Sequence, residues 1–258
     1  MTTPEPKPAS FVDTARKLLV PLAALGFTLV KYGALIVKLK FFTVVISMVV
    51  SLGAYALLYG WKFALGLVLL ILVHEIGHVV VLRARGIEAG LPVFLPFLGA
   101  FVSMKSQPRS VYDESLSGIA GPIFGAVGAF ACLAAGAAYD SDLFRVLAYA
   151  GFFLNLFNLL PVLPLDGGRT AAALSPKLWF VGLLALLGYT VWRPSPVIPL
   201  ILLIGGFELY RRWKGRNTEA ARAYFTLTAQ QRLQIGGLYV GLIVILLWAM
   251  HANPLPPR

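Results

Sequence analysis

The run Val73-His74-Glu75-Ile76-Gly77-His78 places two imidazoles four residues apart with a carboxylate between them. On a helix, positions i and i+4 share a face, so both histidines can bind one metal ion. Glu75 falls close beside them, where its carboxylate can take a proton from a water that the metal activates. Two histidines supply only part of a metal shell. The chain has three histidines in all, and the third, His251, stands alone near a Pro-rich end, so the missing ligand must be sought among the carboxylates.

The medium around this motif is unusual. HEIGH lies inside an apolar run from Phe63 to Leu82, long enough at roughly 20 residues to cross a bilayer as a helix. The whole chain, 258 residues with 59% hydrophobic residues and a mean hydropathy of +0.80, is far more apolar than a soluble domain. It carries 22 Lys and Arg against 11 Asp and Glu. These cations sit mostly at the ends of apolar runs, which reads as topology anchoring and against nucleic-acid binding. Arg83 and Arg85 follow the HEIGH run directly, so its C-terminal end is expected in the cytoplasm. His74, nine residues earlier, is then about 13 Å below that face. The lone cysteine, Cys132, excludes an intramolecular disulfide and reads as a packed thiol.

A second cluster of polar residues closes a later apolar run. Leu143 to Leu163 reads as a span returning to the cytoplasm, and its end continues Asn158-Leu159-Leu160-Pro161-Val162-Leu163-Pro164-Leu165-Asp166-Gly167-Gly168-Arg169. Asp166, after two prolines on a Gly-flanked turn, is a carboxylate of the kind the metal shell lacks. Two histidines and one carboxylate, with the fourth position left to water, make a catalytic zinc shell.

HExxH in one membrane helix and Asn158-x-x-Pro161-x-x-x-Leu165-Asp166-Gly167 in a later one resemble the site-2 protease family of intramembrane zinc metalloproteases, over about Phe63 to Arg169. The resemblance implies one zinc ion with a bound water, held by His74, His78 and Asp166, with Glu75 as general base. It also implies that Asn158 helps to hold the substrate or the developing oxyanion. Asn155, three residues earlier on the same face, reads as structural. The implied substrate is a single-span membrane protein cleaved in or near its membrane segment. A regulatory membrane partner stays open, and the short Tyr139–Asp142 turn leaves no room for the PDZ insert of some members. The implied setting is a prokaryotic cell membrane, with the site nearer the cytoplasmic face. Two other readings are a family member that binds zinc without peptidase activity and a metal transporter. The intact Glu75 speaks against the first, and ionisable residues gathered at one depth speak against the second.

The expected fold is an all-α polytopic membrane protein with six or seven transmembrane helices around a three-helix catalytic core, plus a small membrane-associated β-hairpin. Residues 1–40 form a tail, without a cleavable signal, and an interfacial or membrane helix over Leu18–Val37. Residues 41–177 form the catalytic core, and residues 178–258 the C-terminal helices. Phe41 to Tyr59 is a span joined to the HEIGH helix by the turn Gly60-Trp61-Lys62. Leu91 to Lys105, interrupted by prolines and strand-like from Ala100, is the hairpin, placed to receive an unwound substrate by strand addition. Ser117 to Ala138 is a span whose Gly118, Gly121, Gly125 and Gly128 allow close helix packing, with direct contact to the site the lesser reading. Leu178–Trp192 and Val197–Tyr210 are short apolar runs. Glu208 pairs with Arg211 or Arg212 as an anchor, and the basic segment through Arg216 favours anionic lipid. Asn217 to Arg232 reads as a surface helix, and Ile235 to Met250 as the final span.

Overall fold

The computed structural model describes residues 41–97, 99–192, 197–215 and 217–255. The expected tail and the Leu18–Val37 helix lie outside these residues. Contacts divide the chain into units Met1–Val45 and Ile46–Arg258. Of the first, residues 41–45 are described, and they are helical. All that follows concerns the second.

The helix α1, Phe41–Tyr59, ends at Gly60, whose φ of 80° suits a residue without a Cβ. The next residue already starts α2, Trp61–Ala84. The expected three-residue turn is therefore a single glycine, and Trp61 and Lys62 belong to the helix. At 24 residues α2 is about 36 Å long. An antiparallel hairpin follows, β1 at Ala89–Leu95 and β2 at Gly99–Met104, with Val93 opposite Phe101 and Phe94 opposite Ala100. Pro92, which has no N–H, sits opposite Val102. Because Lys105 N–H donates to Glu88 O, alternation along the ladder turns Ser103 and Phe101 toward β1 and leaves Val102 in a non-hydrogen-bonded pair, where Pro92 costs no bond.

Helix α3, Val111–Ala138, begins six residues earlier than the Ser117 expected from hydropathy. Its start is set by capping. Ser110 Oγ accepts from Asp113 N–H, and Asp113 and Glu114 occupy the first turn, where carboxylates suit the helix dipole. Helix α4, Asp142–Asn158, also differs from the expected Leu143–Leu163 span. It stops before Pro161, which cannot donate a helical N–H. The chain then forms a tight loop to α5, Asp166–Leu174, so that Asp166 is the first residue of a short helix.

Helices α6 (Leu178–Trp192), α7 (Val197–Gly215), α8 (Glu219–Tyr224) and α9 (Ala229–Ala252) complete the chain. The expected surface helix over Asn217–Arg232 is not continuous. Thr228 caps a new helix through a reciprocal capping box with Gln231, and this ends the preceding segment. Four helices, α1, α2, α3 and α9, are long and apolar enough to cross a membrane. The fold is mostly helical, with one two-stranded antiparallel sheet among the described residues.

Apolar packing gathers around the site-bearing elements. Ile119, Ala126 and Ala129 of α3 pack with Ala148 and Phe152 of α4 and with Tyr239, Leu242 and Leu246 of α9. Tyr55 of α1, Val68 and Ile71 of α2 and Phe94 of β1 form another cluster. Val162 of the α4–α5 loop packs on Leu186 of α6 and on Ile198 and Ile201 of α7.

Candidate metal centre and active site

His74, His78 and Asp166 come together from α2 and the start of α5, 92 residues apart at the extremes. Nε2 of His74 lies 3.1 Å from Nε2 of His78 and 3.0 Å from Oδ2 of Asp166, and Nε2 of His78 lies 3.3 Å from the same oxygen. Four-coordinate zinc at about 2.0–2.1 Å from its ligands spaces them about 3.3–3.4 Å apart. The three atoms thus form one face of a shell that fits the ion with little adjustment.

The remaining ring nitrogens are already used. Nδ1 of His74 donates to Asn155 Oδ1 at 2.7 Å, and Nδ1 of His78 donates to the Ser117 carbonyl at 2.7 Å. Both bonds place the proton on Nδ1 and leave the Nε2 lone pairs for a metal. The Asn155 amide is itself oriented, because its Nδ2 donates to Gly151 O at 2.7 Å. Asn155, read from sequence as structural, is therefore the residue that orients His74. Nothing in its spacing from Asn158 carries this signal, since the bond joins residues 81 apart.

The α4–α5 loop that brings Asp166 in is fastened from two sides. Tyr239 of α9 donates to Leu159 O at 2.5 Å, and Trp179 of α6 donates to Gly168 O at 2.6 Å. Thr170 Oγ1 donates to the carbonyl of Asp166 at 3.0 Å.

Gly121 of α3 faces this cluster. A Cβ there would fall onto the His78 imidazole and lie 2.6 Å from Nε2 of His74. The glycine thus clears the space into which both ligating nitrogens point. Small-residue spacing marked Gly121 for packing, and its contact with the site needed the relative rotation of α2 and α3.

Glu75, 4% exposed, and Asn158 line the same cavity of about 580 Å³ as the three ligand residues. The Glu75 carboxylate makes no hydrogen bond among the described residues. Asn158 Nδ2 donates to Leu154 O at 3.1 Å, so this side chain borders the cavity without touching the ligand cluster. Ala100, Phe101 and Val102 of β2 form another wall, and Leu200, Ile201 and Ile204 of α7 a further one.

Peptidase family M50 matches residues 62–141, which span α2, the hairpin and α3 and include His74, Glu75 and His78. The protein named zinc metalloprotease Rip3 of Mycobacterium tuberculosis is 29% identical over 169 residues, 60% of this chain and 43% of that protein. A zinc metalloprotease of Methanocaldococcus jannaschii is 30% identical over 112 residues, 42% of this chain and 32% of that protein. Over residues 62–141 the chain is similar to peptidase family M50, and its HExxH and Asn158 to Gly167 motifs resemble those of the site-2 protease family. Four helices are long and apolar enough to cross a membrane, and the donor set of His74, His78 and Asp166 could hold a zinc ion. The chain spans less than half the length of the curated relatives it matches. A solved site-2 protease from Methanocaldococcus jannaschii aligns with a TM-score of 0.44 at 20% identity, covering 72% of this chain and 89% of that one.

Proposed function

We propose that this protein is a zinc metalloprotease of the site-2 type that hydrolyses a peptide bond within or near the membrane segment of a single-span protein. The observation that carries this reading is a buried ligand face of two imidazoles and a carboxylate with Glu75 in the same cavity. His74, His78 and Asp166 would hold one zinc ion. Bound there, zinc supplies a Lewis acid that lowers the pKa of water to about 7. Glu75 accepts the proton and later delivers it to the leaving amine. Asn158 keeps one amide N–H and its Oδ1 for the substrate backbone.

A substrate helix is cleavable once its amides are freed from internal bonding. The edge of β2 offers a place for the unwound segment, since Ala100 and Val102 direct backbone groups away from β1. On the β1 side Phe94 N–H donates to Ser47 Oγ of α1 at 3.2 Å, so the two edges are not equivalent. Orientation with the site nearer the cytoplasm is supported by two basic helix ends that meet one acidic helix start. Arg85, after α2, pairs with Asp113 at 2.5 Å, and Arg212, near the end of α7, pairs with Glu114 at 2.7 Å, both acids lying at the start of α3. With α4, α6 and α7 as further crossings beside the four long apolar helices, the described residues would cross the membrane seven times.

The test compares wild type with Glu75→Gln in liposomes carrying single-span substrates, with zinc measured by mass spectrometry. The expected result is retained zinc and a fall in cleavage of about 10²-fold or more. Zinc retained with unchanged cleavage would overturn the mechanism.

A further inference from the structure

One cation differs from the others. Among the described residues, the lysines and arginines without an ion pair are exposed, except Arg169, which is half-buried and lines the cavity of the metal ligands. The other half-buried cations among the described residues are paired, Arg212 with Glu114 and Glu208 and Arg145 with Asp140 and Asp142. A guanidinium stays charged at any physiological pH, and charges taken out of water are ordinarily paired. Carboxylates are close at hand, yet each is otherwise engaged or out of ion-pair reach. Asp166 is held by the two imidazoles. The oxygens of Glu114 accept from Arg212 at 2.7 and 3.1 Å and from Tyr224 at 2.6 Å.

A second donor lines the same cavity. Ser117 is 1% exposed, and its hydroxyl has no hydrogen-bond partner among the described residues. It neighbours Arg169 through Gly118, where a Cβ would lie 3.1 Å from Arg169 Cβ. A guanidinium fork and a hydroxyl are suited to a planar carboxylate.

We propose that Arg169 and the Ser117 hydroxyl form a carboxylate-binding subsite of this cavity, an inference that rests on the cavity admitting a peptide for hydrolysis. Cleavage turns a neutral amide into a carboxylate and an amine, so the new C-terminus of the upstream product has the required chemistry. An acidic side chain of the substrate has it too.

Binding of fluorescently labelled apolar peptides to the full-length protein in detergent micelles tests this, in zinc-loaded and metal-stripped forms. Three peptides are used: one with a free C-terminal carboxylate, one with a C-terminal amide, and the amide with one internal Glu. Metal-stripped wild type is expected to bind the carboxylate peptide about tenfold tighter than the amide. Arg169→Gln brings the ratio near one, and Arg169→Lys keeps part of it, with gel filtration showing that both variants remain folded. Tight binding of the internal-Glu peptide assigns the subsite to a substrate side chain, and its absence assigns it to the product carboxylate. Equal binding of carboxylate and amide peptides by metal-stripped wild type, or an unchanged ratio in Arg169→Gln, overturns the subsite. Carboxylate selectivity in a zinc-loaded protein that cleaves nothing keeps the subsite and overturns the hydrolase reading.

Discussion

At the residue scale, the metal ligands are set less by themselves than by what stands behind them. Asn155→Ala removes the acceptor that fixes the His74 tautomer while leaving every ligand in place, and is expected to weaken zinc binding about 10–100-fold, measured by competition with a chelator. Gly121→Ala places a methyl group against both imidazoles. The purified variant is expected to run as a folded protein on gel filtration and to carry little zinc; a full zinc complement would show that α2 and α3 can separate at no cost. That His74, Glu75, His78 and Asp166 meet at one cavity was legible in the sequence because the first three follow helical spacing and the fourth sits on a Pro- and Gly-marked turn. Asn155 and Gly121 were not, because their roles depend on how helices distant in sequence rotate against one another.

At the element scale, the hairpin and the helix boundaries tell a similar story. Hydropathy located the apolar segments, but caps and prolines set their ends: Ser110 starts α3 early, Pro161 stops α4 early, and Thr228 starts α9 afresh. The β2 register now separates two substitutions that looked equivalent. Val102→Pro removes an N–H that faces away from β1, whereas Ser103→Pro removes one directed toward it. If substrate adds to the free edge, Val102→Pro lowers cleavage severalfold with zinc content and thermal midpoint unchanged. Ser103→Pro lowers the midpoint as well. Equal cleavage by Val102→Pro and wild type would remove β2 from substrate binding.

At the scale of the whole molecule, the helix ends around the start of α3 are tied by charge. Glu114 joins α3 to α7 through Arg212 and to α8 through Tyr224, and Arg212 lies over the Trp179 ring at 5.3 Å. Burial, and then the Glu114 carboxylate, push the Tyr224 hydroxyl far above its usual range. Leaving Arg212 without this partner in Glu114→Ala is expected to cost about 3 kcal/mol, read as a lower midpoint in thermal unfolding. Sequence pairing rules identified the local bonds of Glu208 to Arg211 and Arg212 at 2.8 and 2.9 Å. They could not identify Glu114, 98 residues from Arg212.

The bond from Tyr239 to the Leu159 carbonyl has a consequence for biosynthesis. The loop that delivers Asp166 is fastened by α9, a later helix, so a nascent polypeptide could display all three candidate metal ligands well before their arrangement is secured. Metal loading would then be a late event, completed only after α9 has left the ribosome and entered the bilayer. A chain ending at Lys214 should insert in the membrane but retain zinc poorly, and supplying the missing helix as a separate polypeptide should restore part of that retention.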